Sequence, residues 1–231
     1  MRGSEVISCE RCPALVASRS MIVNGDGKLN AEMLFVGEGP GREEDINGKP
    51  FVGRSGSVLD KSLQKNGIER KDIRITNCVR CRPPENRNPS KEELYNCKNH
   101  LHTEIQLVNP SLVIALGRVP SEHLLQRKVK VTEEAGKIEL VNIAGVDRFV
   151  LICIHPAATL YNPNQKMIFE MKNVQEKSKT FEKYFQKINT FIKTLKTKNK
   201  EDEIHSFDLA HNKACFVIKI KKKKEKSYFE E

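Results

Sequence analysis

Four short apolar runs, "EMLFVGE", "DIRITNCV", "SLVIALG" and "DRFVLICIHP", are separated mostly by segments with helical spacing. Between the first two lies "SGSVLDKSLQKNG", whose apolar residues recur at helical spacing and end at Gly67. Between the second and third lies "SKEELYNCKNHLHTEIQLV", where Ser90 and Glu93 form a capping-box pattern. "RVPSEHLLQ" is short and helical, and "KVKVTEEAGKIELVN" alternates in a way that predicts a β-hairpin. Strand–helix alternation of this kind predicts an α/β fold, a parallel sheet covered on both faces. Such sheets place ligand sites outside the carboxyl ends of their strands.

Three of the most polar features sit at those ends. "GEGPG" follows the first strand, Asn77 lies on the second and His155 follows the last. The longer stretch "GEGPGREEDINGKPFVGRSG", residues 37–56, combines glycines with Glu38, Glu43 and Glu44. Glycines at a strand mouth let backbone N–H groups approach a ligand closely. Taken alone, a G-x-G pattern is equally at home in a solvated turn; its convergence with Asn77 and His155 points to a site.

Hydrophobic residues make up 38% of the 231, enough for a real core, and no apolar stretch is long enough to span a membrane. The N-terminal "MRGSEVISCERCPAL" has no apolar signal core, so the expected location is cytosolic. Length and charge favour a monomer. The net charge of +10 is uneven: residues 164–231 carry 17 lysines, no arginine and 10 acidic residues. A basic balance suits a polyanion such as nucleic acid, although a lysine-rich tail is often a solvated appendage. Three regions are expected: a domain over 1–163, a helical extension over 164–200 and a basic tail over 201–231. In the extension, Phe181, Phe185, Ile188, Ile192 and Leu195 recur at helical spacing between lysines.

Seven cysteines in a reducing compartment are more often ligands or buried thiols than disulfides. Cys9 and Cys12 form one C-x-x-C, Cys78 and Cys81 a second, and Cys97 comes later. Two such pairs suit zinc, whereas an iron–sulfur cluster also takes four thiolates, often at irregular spacing. Cys78 alternates with buried strand residues and could be a core side chain, leaving Cys9, Cys12, Cys81 and Cys97 as the competing set. Spacing alone leaves both metals open. Cys153 lies within an apolar strand and reads as inert.

"GEGPGREEDINGKPFVGRSG", "ITNCVRCRPPENRNP", "LVIALG" and "HPAATLYNP" occur in this order, and together they resemble the family 4 uracil-DNA glycosylases. The resemblance covers residues 7–163. It implies a three-layer α/β/α fold around a four-stranded parallel sheet. It also implies a [4Fe–4S] cluster on Cys9, Cys12, Cys81 and Cys97, which holds the N-terminal arm and the loop over 82–96 in place. The implied partner is uracil-containing DNA, and the implied reaction hydrolyses the N-glycosidic bond of a flipped uracil to leave an abasic site.

On that resemblance, Gly37, Glu38, Gly39 and Pro40 line the base, Phe51 stacks on it, and Asn77 reads its Watson–Crick edge. The Asn77 amide donates to uracil O4 and accepts from N3–H, a pattern that cytosine reverses. His155 donates to uracil O2 as negative charge develops there, aided by backbone N–H groups of "GEGPG". Family 1 uracil glycosylases carry an aspartate where this chain has Gly39, so Glu38 is the leading candidate to position the water or stabilise the sugar cation. They also carry a tyrosine, which excludes thymine, where this chain has Gly41. Glu44 is the second candidate for the catalytic carboxylate, is assigned to the exclusion of thymine and is expected to hold Asn86. Leu160, with Tyr161 second, is the candidate wedge into the base stack. "HPAA" stands where the family often has "HPS", removing a phosphate contact. The rival readings are a covalent uracil-DNA binder of the same superfamily, a non-catalytic DNA-binding module and a zinc-based RNA-binding protein.

Overall fold

The computed structural model describes residues 5–159 and Ser206–Phe207; Leu160, Tyr161, the extension over 164–200 and the rest of the basic tail lie outside the described residues. Its strands are β1 (Asp26–Gly27), β2 (Met33–Gly37), β3 (Arg74–Asn77), β4 (Leu112–Leu116), β5 (Ile138–Ile143), β6 (Val146–Cys153) and β7 (Ser206–Phe207). They form one sheet in the order β1-β3-β2-β4-β6-β5-β7. The centre, β3-β2-β4-β6, is parallel, as expected, and β1, β5 and β7 add antiparallel edges.

Side-chain alternation along the strands separates two cores. After the short helices α1 (Pro13–Ser18) and α2 (Arg42–Asn47) comes α3 (Arg54–Lys65), whose Leu59 and Leu63 face Phe35, Ile75, Ile114 and Leu151. Leu34, Val36, Val113 and Ile152 face the other way. There they meet Leu101 and Ile105 of α4 (Lys91–Val108) and Leu124 and Leu125 of α5 (Arg118–Leu125). Each buried leucine contributes about 1.5–3 kcal/mol relative to exposure, so the sheet cannot readily lose either layer. Ser90 caps α4 as its sequence predicts: its hydroxyl accepts from the Glu93 N–H at 3.1 Å, and Glu93 Oε2 accepts from the Ser90 N–H at 2.7 Å.

The predicted hairpin over "KVKVTEEAGKIELVN" is corrected. Its first half contains the short helix Val131–Glu134, and the true hairpin joins β5 to β6 through Ala144 and Gly145, at φ 53° and 85°. The Glu134 carboxylate folds the first half back by accepting from the Lys130 N–H at 2.9 Å and from Arg127 Nη2 at 2.6 Å. The parallel register pairs Gly37 with Asn77 and Leu116 with Cys153. The loops after all four central strands therefore leave from one edge of the sheet.

Candidate functional site

A pocket of about 440 Å³ opens at that edge, and its lining includes Glu38, Gly39, Pro40, Phe51, Asn77 and His155. Glu44, Asn86, Asn88 and Pro89 also border it. Gly37 lies behind this wall: a Cβ there would stand 2.4 Å from Asn77 Oδ1 and 2.6 Å from the Phe51 ring. Only glycine lets these two side chains close over the strand end.

Asn77 is 2% exposed, and its Oδ1 is buried with no hydrogen-bond partner among the described residues. Leaving such an acceptor unpaired costs about 1–3 kcal/mol. Phe51 is buried and has φ 53°, a strained conformation for a residue with a side chain. Arg70 holds it there, donating to the Phe51 carbonyl at 3.0 Å and the Pro50 carbonyl at 2.6 Å. Asp60 in turn accepts from Arg70 at 2.7 Å. The Phe51 and His155 rings lie 6.0 Å apart, tilted by 37°.

His155 Nδ1 accepts from the Ala157 N–H at 3.1 Å, so the neutral ring carries its proton on Nε2. Burial pushes the His155 pKa down to about 4, against the opposing charge of Glu44. At neutral pH the ring is an uncharged donor. Gly117, at φ 101°, backs onto this side chain, with a built Cβ 3.0 Å from His155 Cβ.

Burial raises the Glu38 carboxyl above its ordinary value, and the Arg118 guanidinium opposes that shift. Asn88 bridges the two in the orientation where its nitrogen donates to Glu38 Oε1 at 3.2 Å and its oxygen accepts from Arg118 Nη2 at 3.3 Å. Glu44 is committed differently. Its Oε2 accepts from the Gly41 N–H at 3.1 Å, and its Oε1 from the Val52 and Gly53 N–H groups at 3.0 and 2.8 Å. It thus ties the "GEGPG" turn to the Phe51 loop. The expected contact between Glu44 and Asn86 is not among its bonds; Asn86 Oδ1 accepts from Arg82 Nε at 2.8 Å.

Away from the pocket, Cys9, Cys12, Cys81 and Cys97 line one small cavity with Arg19, Asn96 and His100 nearby. Arg19 donates to Cys81 Sγ at 3.1 Å and to the Cys9 carbonyl at 2.9 Å; Asn96 Nδ2 lies 3.6 Å from Cys12 Sγ. Among the described residues, no three His, Cys, Asp or Glu side chains converge closely enough to hold a single ion. Cys78 and Cys153 are instead fully buried in the two cores, where burial raises both thiols far above their ordinary value.

Sequence reasoning missed the Arg70 clamp, the Asn88–Arg118 bridge and a buried network below the site. In that network Glu104 accepts from Arg74 Nε at 2.7 Å, from Thr76 at 2.8 Å and from Arg80. Burial pushes the Glu104 carboxyl up, and the Arg80 and Arg74 guanidiniums reverse that, holding it below its ordinary value. The available signal was its spacing: Cys97, Leu101, Glu104, Ile105 and Val108 lie on the buried face of α4.

The family model of the uracil DNA glycosylase superfamily matches residues 24–189. The chain is 39% identical to the type-4 uracil-DNA glycosylase of Saccharolobus solfataricus, covering 73% of this chain and 80% of that one. It is 37% identical to the type-4 enzyme of Sulfurisphaera tokodaii, covering 78% and 84%. With that of Thermotoga maritima it shares 38% identity, covering 78% and 92%. With its parallel sheet, its pocket at the strand ends and these relatives, the chain belongs to the uracil DNA glycosylase superfamily, among its type-4 members.

Proposed function

We propose that this protein is a monofunctional uracil-DNA glycosylase of DNA repair, and that the pocket beside Phe51, Asn77 and His155 holds the extruded base. The observation that carries the reading is the unpartnered Asn77 Oδ1, which uracil N3–H would satisfy and cytosine N3 would not. Phe51 stacks on the base, held at its strained φ by Arg70. His155 donates from Nε2 to uracil O2. That bond strengthens as the C1′–N1 bond breaks and its electrons move onto the ring.

Water adds to C1′ from the Glu38 side, and its proton passes to Glu38 or solvent. Glu44 acts as a positioning residue, fixing the wall that meets uracil C5 and crowds a thymine methyl group. The substrate is uracil-containing DNA, and the enzyme works as a cytosolic monomer.

Cys9, Cys12, Cys81 and Cys97 would hold a [4Fe–4S] cluster. A cluster distributes four thiolates over separate irons, which suits sulfurs that line a cavity better than sulfurs that meet at a point. Its role is to join the N-terminal arm to the loop after β3 and to α4. Reducing surroundings keep the thiolates available.

The test is single-turnover incubation with a labelled oligonucleotide containing one uracil, followed by alkali, beside a thymine control. Cleavage at uracil alone is expected, slowed about 10²–10³-fold by His155→Ala, as for loss of one transition-state donor. No cleavage by protein that retains its cluster would replace the enzyme with a binding module.

A further inference from the structure

Next to the pocket lies a second concavity that the reaction does not use. This groove, about 740 Å³, runs between α4 and α5 and shares Asn88 and Pro89 with the base pocket. Lys91, Tyr95 and Lys98 line it from α4 at i, i+4 and i+7, one face of the helix. Tyr95 is 76% exposed, its ring left largely open to solvent among the described residues. Lys91 and Lys98 join no ion pair among the described residues. Arg118 faces them from the first turn of α5 and connects the groove to Glu38 through Asn88.

The charge is one-sided. Glu122 is the one acidic residue in the lining among the described residues, against five lysines and arginines. Arg118 and Lys128 flank it at 3.3 and 3.7 Å, and Arg127 is paired with Glu134 and Glu139, which leaves Lys91 and Lys98 uncommitted among the described residues. A basic trough with an exposed aromatic ring, opening into a pocket that receives a flipped base, fits a strand with unpaired bases. Lysines track its phosphates, and the ring offers a stacking surface that any base can use.

We propose that this groove binds single-stranded DNA flanking the uracil, with one unpaired base stacked on Tyr95 and the adjacent phosphates held by Lys91, Lys98 and Arg118. The proposal rests on the assignment of uracil-containing DNA as substrate. It makes the enzyme a reader of strands already opened, in which the flanking base needs no unpairing to reach Tyr95.

The experiment measures single-turnover cleavage of a single-stranded uracil oligonucleotide against enzyme concentration, at several salt concentrations. The full-length wild type is compared with Tyr95→Ala, Tyr95→Phe and the Lys91→Ala/Lys98→Ala double variant. Tyr95→Ala should raise the half-saturating concentration about tenfold with an unchanged maximal rate, from the loss of one stacked base. Tyr95→Phe should keep the wild-type value. The double variant should flatten the salt dependence by roughly 1.4 in log–log slope, two phosphate contacts on a single strand. Half-saturation and slope unchanged in every variant, with the wild type still cleaving uracil, would overturn the groove proposal alone and leave the trough to an acidic protein partner. A wild type that cleaves no uracil would overturn the substrate assignment as well.

Discussion

A neutral imidazole is an effective donor to a base that is becoming an anion, because it need not first lose solvation as a cation. His155 is set for this by two local features: the Ala157 N–H occupying Nδ1, and burial that holds its pKa near 4. These features fix the sign of the pH dependence. The unfolded histidine takes up a proton near pH 6.5, the folded one only near 4, so its contribution to stability is full above 6.5 and is lost as pH falls toward 4. The single-turnover rate, if limited by this ring, should stay level from neutral pH through 6.5 and fall only as pH approaches 4, with no step at the ordinary histidine value. A rate profile beside a denaturation series checks both. Asn77 and His155 were legible in the sequence because each sits at or beside a strand end, where topology concentrates ligands; Phe51, in the loop before α3, was marked only by the resemblance of its motif to family 4. Arg70 and Arg118 were not, since each acts across the fold: Arg70 reaches Phe51 over 19 positions.

At the scale of elements, β3 and α4 are locked together from beneath the site. Glu104 is fully buried and accepts from Arg74, Thr76 and Arg80, drawing two guanidiniums and a strand hydroxyl onto one carboxylate. Thr76 precedes Asn77, and Arg80 precedes Cys81. The network therefore supports both the base-reading strand end and the cysteine cavity. Glu104→Ala strands two buried arginines and should cost roughly 3–5 kcal/mol in urea unfolding, with the uracil-specific pattern of cleavage retained in whatever protein folds. Such a partnership is invisible to periodicity, which reads Glu104 only as a polar residue on an apolar face. The β5–β6 hairpin escaped for a related reason. Its Ala144-Gly145 turn lacks the Asn-Gly or Asp-Gly signature, while "KVKV" mimics strand alternation in a segment that Glu134 bends back.

For the whole molecule, the cysteine cavity closes a long circuit: Cys9 and Cys12 come from the arm, Cys81 from the loop after β3 and Cys97 from α4. If these four cysteines hold the proposed [4Fe–4S] cluster, Cys12→Ser should abolish its visible absorbance and lower the melting temperature. Cys78→Ala, close to Cys81 in sequence but inside the core, should keep the colour. An absorbance spectrum with a thermal melt separates the two. Sequence spacing left these cysteines open between zinc and a cluster, because the distances among sulfurs are set by three elements that meet only in the fold. The pocket also bears on the fate of the products. Since Glu44 already ties its two walls through three backbone N–H groups, the cavity does not depend on the nucleotide to assemble it. The excised base should linger after the sugar has gone, and free uracil added to the reaction should slow multiple turnover where thymine and cytosine do not.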